Sequence, residues 1–303
     1  MPNLPRAMQT AVLATLLALA CCSAPAYASD EGAGKVAEKQ QTATHPIPED
    51  LAEQVKRSEN IGRILFVLDY AGAVGTDVMR ANTTEQERSH LAGYLALLDD
   101  HDDGSPPTNT VYFFTAEKPA RIAYTVTVGY KLEPVFKRYD PFGIPSLDLA
   151  KLFQARQSAV KALSPPQQPL NPIVLPGRMI GEEGTVVYAL AGTTKPNVAV
   201  FGKHFRVVVA PDDTTVTSVT PMTKGIMEMP TRTPEGTEPV EIAVTQLLTD
   251  YPTETQVCTN RIIGMPVMVL TKRGLWKITE GHISFVMTRE EMEKQTKDSA
   301  KTQ

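Results

Sequence analysis

His204 and Arg206 stand two residues apart in the apolar stretch 198–209, and that spacing governs what they can do together. If the stretch is one extended strand, Phe201, Phe205, Val207 and Val209 take one face, and Gly202, His204, Arg206 and Val208 take the other. An imidazole beside a guanidinium is suited to receive an anionic group. Asp69 and Asp77 are the carboxylates that could pair with His204; their separation of eight residues brings them to similar azimuths if that segment is helical. Arg156 is the remaining candidate. It falls in the stripe of Leu149, Phe153, Val160 and Leu163, where the expected arrangement is a packed aliphatic stem with the guanidinium in water. These five side chains are candidates for binding a small anionic ligand, and none is assigned a catalytic role.

Catalytic and metal templates do not fit. There is no H-E-x-x-H, and the five histidines are scattered, so a zinc hydrolase site is not expected. The esterase elbow G-x-S-x-G is absent. Ser158-Ala159-Val160-Lys161 spells S-x-x-K, but Ser158 falls late in an expected helix and the partner S-D-N is missing. An EF-hand loop opening at Asp99 would put His101 at its third position and Thr110 where a bidentate Glu is needed, so 99–104 reads as a solvated acidic loop. Gly32-Ala33-Gly34-Lys35 has no preceding strand to make it a phosphate loop. No metal and no cofactor is therefore expected.

The N-terminus points to export. Arg6 precedes the apolar run 11–22, which is too short for a finished transmembrane helix, and Ala26-Tyr27-Ala28 offers small side chains for signal-peptidase cleavage before Ser29. The alternative is lipidation at Cys21, after Ala18-Leu19-Ala20, although the usual leucine three residues before the cysteine is missing. Cleavage at Ser29 would leave Cys258 as the only thiol, so stability must come from an ordinary core and not from disulfides. Cys258 itself is read as a small buried apolar residue. With 30 Lys and Arg against 34 Asp and Glu, and no basic patch, nucleic-acid binding has no electrostatic footprint. No later apolar run is long enough to cross a bilayer.

Residues 29–48 are small and polar and read as a flexible tether. A short helix is expected over 49–60, and the run Ile64-Leu65-Phe66-Val67-Leu68 fits a buried strand or a buried helix equally. Thr84 with Glu87 spells a capping box, and Leu91, Tyr94, Leu95 and Leu98 follow at helical spacing, which predicts a helix over 85–98. Residues 112–115 and 121–130 read as a hairpin, and Pro145-Ser146 opens a second helix that ends at Pro165-Pro166. Strands are expected at 173–175, 185–190, 198–209, 214–220, 267–270, 275–278 and 283–287. Short turns between them imply antiparallel pairing. The expected class is α+β, a mainly antiparallel sheet with two or three helices in the N-terminal half and a strand-rich C-terminal half. Residues 49–288 form one domain, or two subdomains meeting near 165–172, followed by a charged tail over 289–303.

Gly62-Arg63, Phe66 and Asp69, then Thr76-Asp77, Leu152-Phe153-x-Ala155-Arg156, Val174-Leu175-Pro176 and Gly202-x-His204-Phe205-Arg206-Val207, together resemble a group of exported bacterial proteins of unknown function. The resemblance spans about Gly62 to Val209. It departs from the group at Ala73, where a tryptophan often stands, and at Lys203, where the group has glycine. It implies an envelope location and no particular activity. The expectation is a periplasmic or secreted binding or accessory protein with a small anionic ligand or an envelope protein partner. The alternative is an envelope hydrolase whose site is assembled from residues distant in sequence.

Overall fold

The computed structural model describes residues 45–99, 106–129, 131–164, 169–193, 195–232 and 241–301. The expected signal peptide, Cys21, most of the expected tether and the expected acidic loop after Asp99 lie outside these residues. Five α-helices and fourteen strands in mostly antiparallel sheets make the described chain α+β. No helix among the described residues is long and apolar enough to cross a membrane.

A single long helix, α1 (Ala52–Ala81), runs through the molecule. It takes in residues 52–60 of the expected short helix, whose first three residues, Glu49–Leu51, form a 3-10 turn, and continues through Ile64–Leu68, resolving that run as helical. Its apolar residues do not form one stripe because it is covered from several sides. Leu51, just before it, and Val55 belong to one core, while Ile61, Leu65, Leu68, Ala71 and Met79 belong to another. Such an enveloped helix lacks the one-sided periodicity of a surface helix.

The helix expected over 85–98 is a correction. The capping box is real: Thr84 N donates to Glu87 Oε2 at 2.7 Å and Glu87 N to Thr84 Oγ1 at 3.3 Å. It opens only the one-turn helix α2 (Glu85–Arg88), after which β1 (Leu91–Leu98) begins. Gly93, at φ 145°, marks a register shift in the pairing with β2 (Thr108–Thr115), and this ladder outweighs the helical spacing of the leucines. β3 (Ile122–Gly129) forms the expected hairpin with β2, and β4 (Val135–Gly143) completes an antiparallel meander.

Helix α3 (Leu147–Ala162) starts where the sequence places it, with Leu149 N donating to Ser146 Oγ. It packs on the second sheet, ordered β5 (Leu170–Pro176), β6 (Thr185–Ala191), β8 (Phe205–Val209) and β9 (Val216–Pro221), burying Leu149, Phe153 and Ala159 against Val174, Val187, Val207 and Val209. The expected single strand over 198–209 is two strands. β7 (Val198–Gly202) leaves to pair with β10 (Ile226–Pro230), because Gly202 at φ 119° and Lys203 at φ 51° turn the chain. A β-carbon at Gly202 would sit 2.0 Å from the Gly225 carbonyl oxygen, so no other residue fits this close approach.

The third sheet is β11 (Ile242–Thr245), β12 (Val267–Leu270), β13 (Gly274–Thr279) and β14 (His282–Thr288); β11 and β12 are parallel. Between β11 and β12 lies α4 (Glu254–Ile263), a helix the sequence reading did not assign. It packs on α1 and buries Cys258, which is 1% exposed. The charged tail is helical as α5 (Arg289–Lys301). At the open side of β14, His45 N donates to Phe285 O at 2.8 Å.

Candidate functional site

Three parts of the chain far apart in sequence meet beside β8. Arg57 projects from α1, Glu182 from the turn joining β5 to β6, and Glu254 from the first turn of α4. With Arg206 they line a cleft of about 510 Å³, whose apolar wall includes Met222, Leu248 and Tyr251. The volume lies within the range of small-molecule sites.

The local supports of this cleft follow from the sequence. Gly177 N donates to Gly184 O and Glu182 N to Gly177 O, and Gly181 adopts φ 70°, so Glu182 is held at the tip of a tight turn. Helix α4 begins at Glu254 after Thr253, whose N–H donates to Gln256 Oε1 at 2.9 Å. Thr253-x-x-Gln256 is a capping-box spelling and was the available sequence signal for this helix. Arg206 stands directly opposite Tyr188 in the β6–β8 ladder.

The charged groups form one connected chain. Tyr188 Oη donates to Glu254 Oε1 at 2.6 Å. Burial, with the neighbouring Glu254 charge, raises the Tyr188 pKa, which keeps the phenol protonated as a donor. Burial opposes the charge on Arg206, but Tyr188 and Glu182 outweigh it and the guanidinium pKa is raised. Glu182 bridges two guanidinia: Oε2 receives Arg206 and Oε1 receives Arg57. Arg57 is fixed a second time, since Nη1 donates to Ile180 O at 2.7 Å.

The five candidates from the sequence do not converge. Arg206 lines the cleft. His204 does not project beside it, because the turn at Gly202–Lys203 resets the strand alternation before β8. Its ring is 4% exposed; Nδ1 accepts from Ala191 N at 2.9 Å, and Nε2 has no partner among the described residues. Burial lowers the His204 pKa to about 4, an effect that the Val200 carbonyl only partly offsets, so the ring is neutral near pH 7. Neither aspartate pairs with it. Asp69 Oδ1 instead accepts from Asn171 Nδ2 at 2.7 Å, and Asn171 Oδ1 accepts from Tyr94 Oη at 2.7 Å. Burial raises the Asp69 pKa against the lowering effect of Asn171. Asp77 is exposed, and the expected alignment of the two aspartates is a correction: the segment is helical, but eight residues at 3.6 per turn leave Asp77 about 80° round the helix from Asp69.

Arg156 is a further correction: its guanidinium does not reach water. The residue is 8% exposed, lies 5.9 Å from the centroid of the Tyr94 ring, and leaves Nε without a partner among the described residues. Burial lowers its pKa, and Tyr94 opposes that shift. The small Gly93 admits it: a β-carbon there would come within 2.7 Å of Nη1.

Among the described residues, no three His, Cys, Asp or Glu side chains are grouped so as to hold a metal ion. No family model matches the chain, and no significant match exists among curated proteins or solved structures.

Proposed function

We propose that the protein is exported and works in the cell envelope as a binding or accessory protein, holding a small polar ligand in the cleft beside Arg206. The N-terminal apolar run and the small residues before Ser29 support export, as does the resemblance to exported bacterial proteins. The observation that carries the binding reading is the bridge of Glu182 between Arg57 and Arg206. Two guanidinia that converge on one carboxylate form a seat for an oxyanion, which a ligand takes by displacing Glu182, with an apolar wall alongside. An envelope hydrolase is less well supported: Ser58, Glu182 and Glu254 stand in the cleft lining, but among the described residues no hydrogen bond joins the Ser58 hydroxyl to either carboxylate, and both carboxylates are engaged by Arg57, Arg206 and Tyr188.

Thermal melts of the purified protein against a panel of organic anions, amino acids and short peptides test this reading. At ligand concentrations about a hundredfold above Kd, binding stabilises the folded state by about 2.7 kcal/mol, enough for a visible rise in Tm. Arg206→Gln is expected to remove that rise. If no ligand shifts the wild-type melt, the binding reading falls.

A further inference from the structure

The cleft presents two positive and two negative side chains, and it presents them in alternating order. Glu254, the Tyr188 hydroxyl, Arg206, Glu182 and Arg57 follow one another through successive contacts. An anion without a positive group would reach the guanidinia only in the company of both carboxylates. A simple cation would meet the converse difficulty. A ligand carrying both charges satisfies both halves, and like-charge juxtaposition rejects the others.

Resting on the binding reading above, we propose that the ligand is a zwitterion of the amino-acid or unblocked short-peptide class. Its carboxylate replaces that of Glu182 between Arg57 and Arg206, and its ammonium is received by Glu254. The ligand carboxylate takes over both guanidinium contacts of Glu182, so neither arginine is left unpaired, and Glu182, 24% exposed, lies close enough to the surface to reach water when displaced. Arg57 stays oriented afterwards through its bond to the Ile180 carbonyl. Glu254 gives only Oε1 to Tyr188; Oε2 has no hydrogen-bond partner among the described residues and is free to accept from an ammonium. Met222, Leu248 and Tyr251 then offer the apolar wall for a hydrophobic side chain.

Titration calorimetry on the full mature protein with alanyl-leucine, its N-acetyl form, its C-terminal amide and glutarate tests the assignment. The free dipeptide is expected to bind, and each singly blocked form to bind at least about tenfold more weakly. Glu254→Gln keeps an oxygen for Tyr188 and should weaken the free dipeptide about tenfold while leaving the N-acetyl form unchanged. Glu182→Gln removes the internal competitor and should tighten the free dipeptide. If Glu254→Gln melts well below wild type, Arg57→Gln at the exposed end of the chain of charges replaces it, with loss of discrimination against the amide as the expected result. Equal binding of free and blocked peptides, or Arg206-dependent binding of glutarate alone, overturns the zwitterion and leaves the cleft as a binding site. No binding by any probe in calorimetry or in the melts overturns both.

Discussion

At the scale of single residues, His204 shows how a side chain chosen for chemistry can be enclosed by structure. Ala191 N donates to Nδ1, so the neutral ring carries its proton on Nε2. Protonating Nδ1 would break that bond inside a closed environment. The folded-state pKa of about 4 lies below the ordinary value of 6.5, so the unfolded chain binds this proton more readily. Stability is therefore fully present above about pH 6.5 and lost as pH falls towards 4, by up to about 3 kcal/mol from this group. Asp69, whose pKa is raised, acts in the opposite direction over the range above its ordinary value. Urea unfolding of wild type and His204→Gln between pH 7 and 4 measures the effect. The variant is expected to show a flatter dependence; identical slopes would mean that His204 does not titrate as its burial requires. Sequence spacing singled out His204 and Arg206 and found one lining residue of the cleft. Arg57 and Glu182 lie 125 residues apart, and no local pattern announces that they meet.

Among the elements, the α1–α4 contact is the one on which the cleft depends. A β-carbon at Gly62 would fall 2.5 Å from Val257 Cβ and 2.8 Å from the Glu254 carbonyl oxygen, so the two helices touch backbone to backbone here. Gly62→Ala sets a helix-propensity gain of about 1 kcal/mol against overpacking of about 1–3 kcal/mol. The expected outcome is a net loss of about 1 kcal/mol in urea unfolding, with a weaker ligand-induced Tm rise because Glu254 moves with its helix. A stability equal to or above wild type would show that the helices can separate freely. The elements also mark the boundary of what the sequence made legible. β3 was readable because Ile122, Tyr124, Val126 and Val128 alternate without interruption. β1 was not, because Leu91, Tyr94, Leu95 and Leu98 satisfy a helical period while the partner strand that overrides it lies beyond a loop. The division of 198–209 into two strands depended on Gly202, whose positive φ is invisible until the Gly225 carbonyl is seen against it.

For the molecule as a whole, the antiparallel α+β class was legible from closely spaced strands, but the single helix linking two cores was not, since burial on several sides removes its periodic stripe. Export remains a proposal read from the first residues. Intact-mass measurement on protein from its native host is expected to give a chain beginning at Ser29, and a diacylated Cys21 terminus would replace that assignment with an anchored form.

The bridge between His45 and Phe285 sets how the folded chain would carry a mechanical load. The chain joins the third sheet at His45, beside β14, and leaves that strand into α5 at Arg289. Tension between these two points would be borne across the edge of one sheet, through the His45–Phe285 hydrogen bond and the last residues of β14. It would not pass along β6, β8 or the contact between α1 and α4 until that bridge gave way. A pull on those two points therefore meets the His45–Phe285 bridge before it reaches Arg57, Glu182 and Arg206.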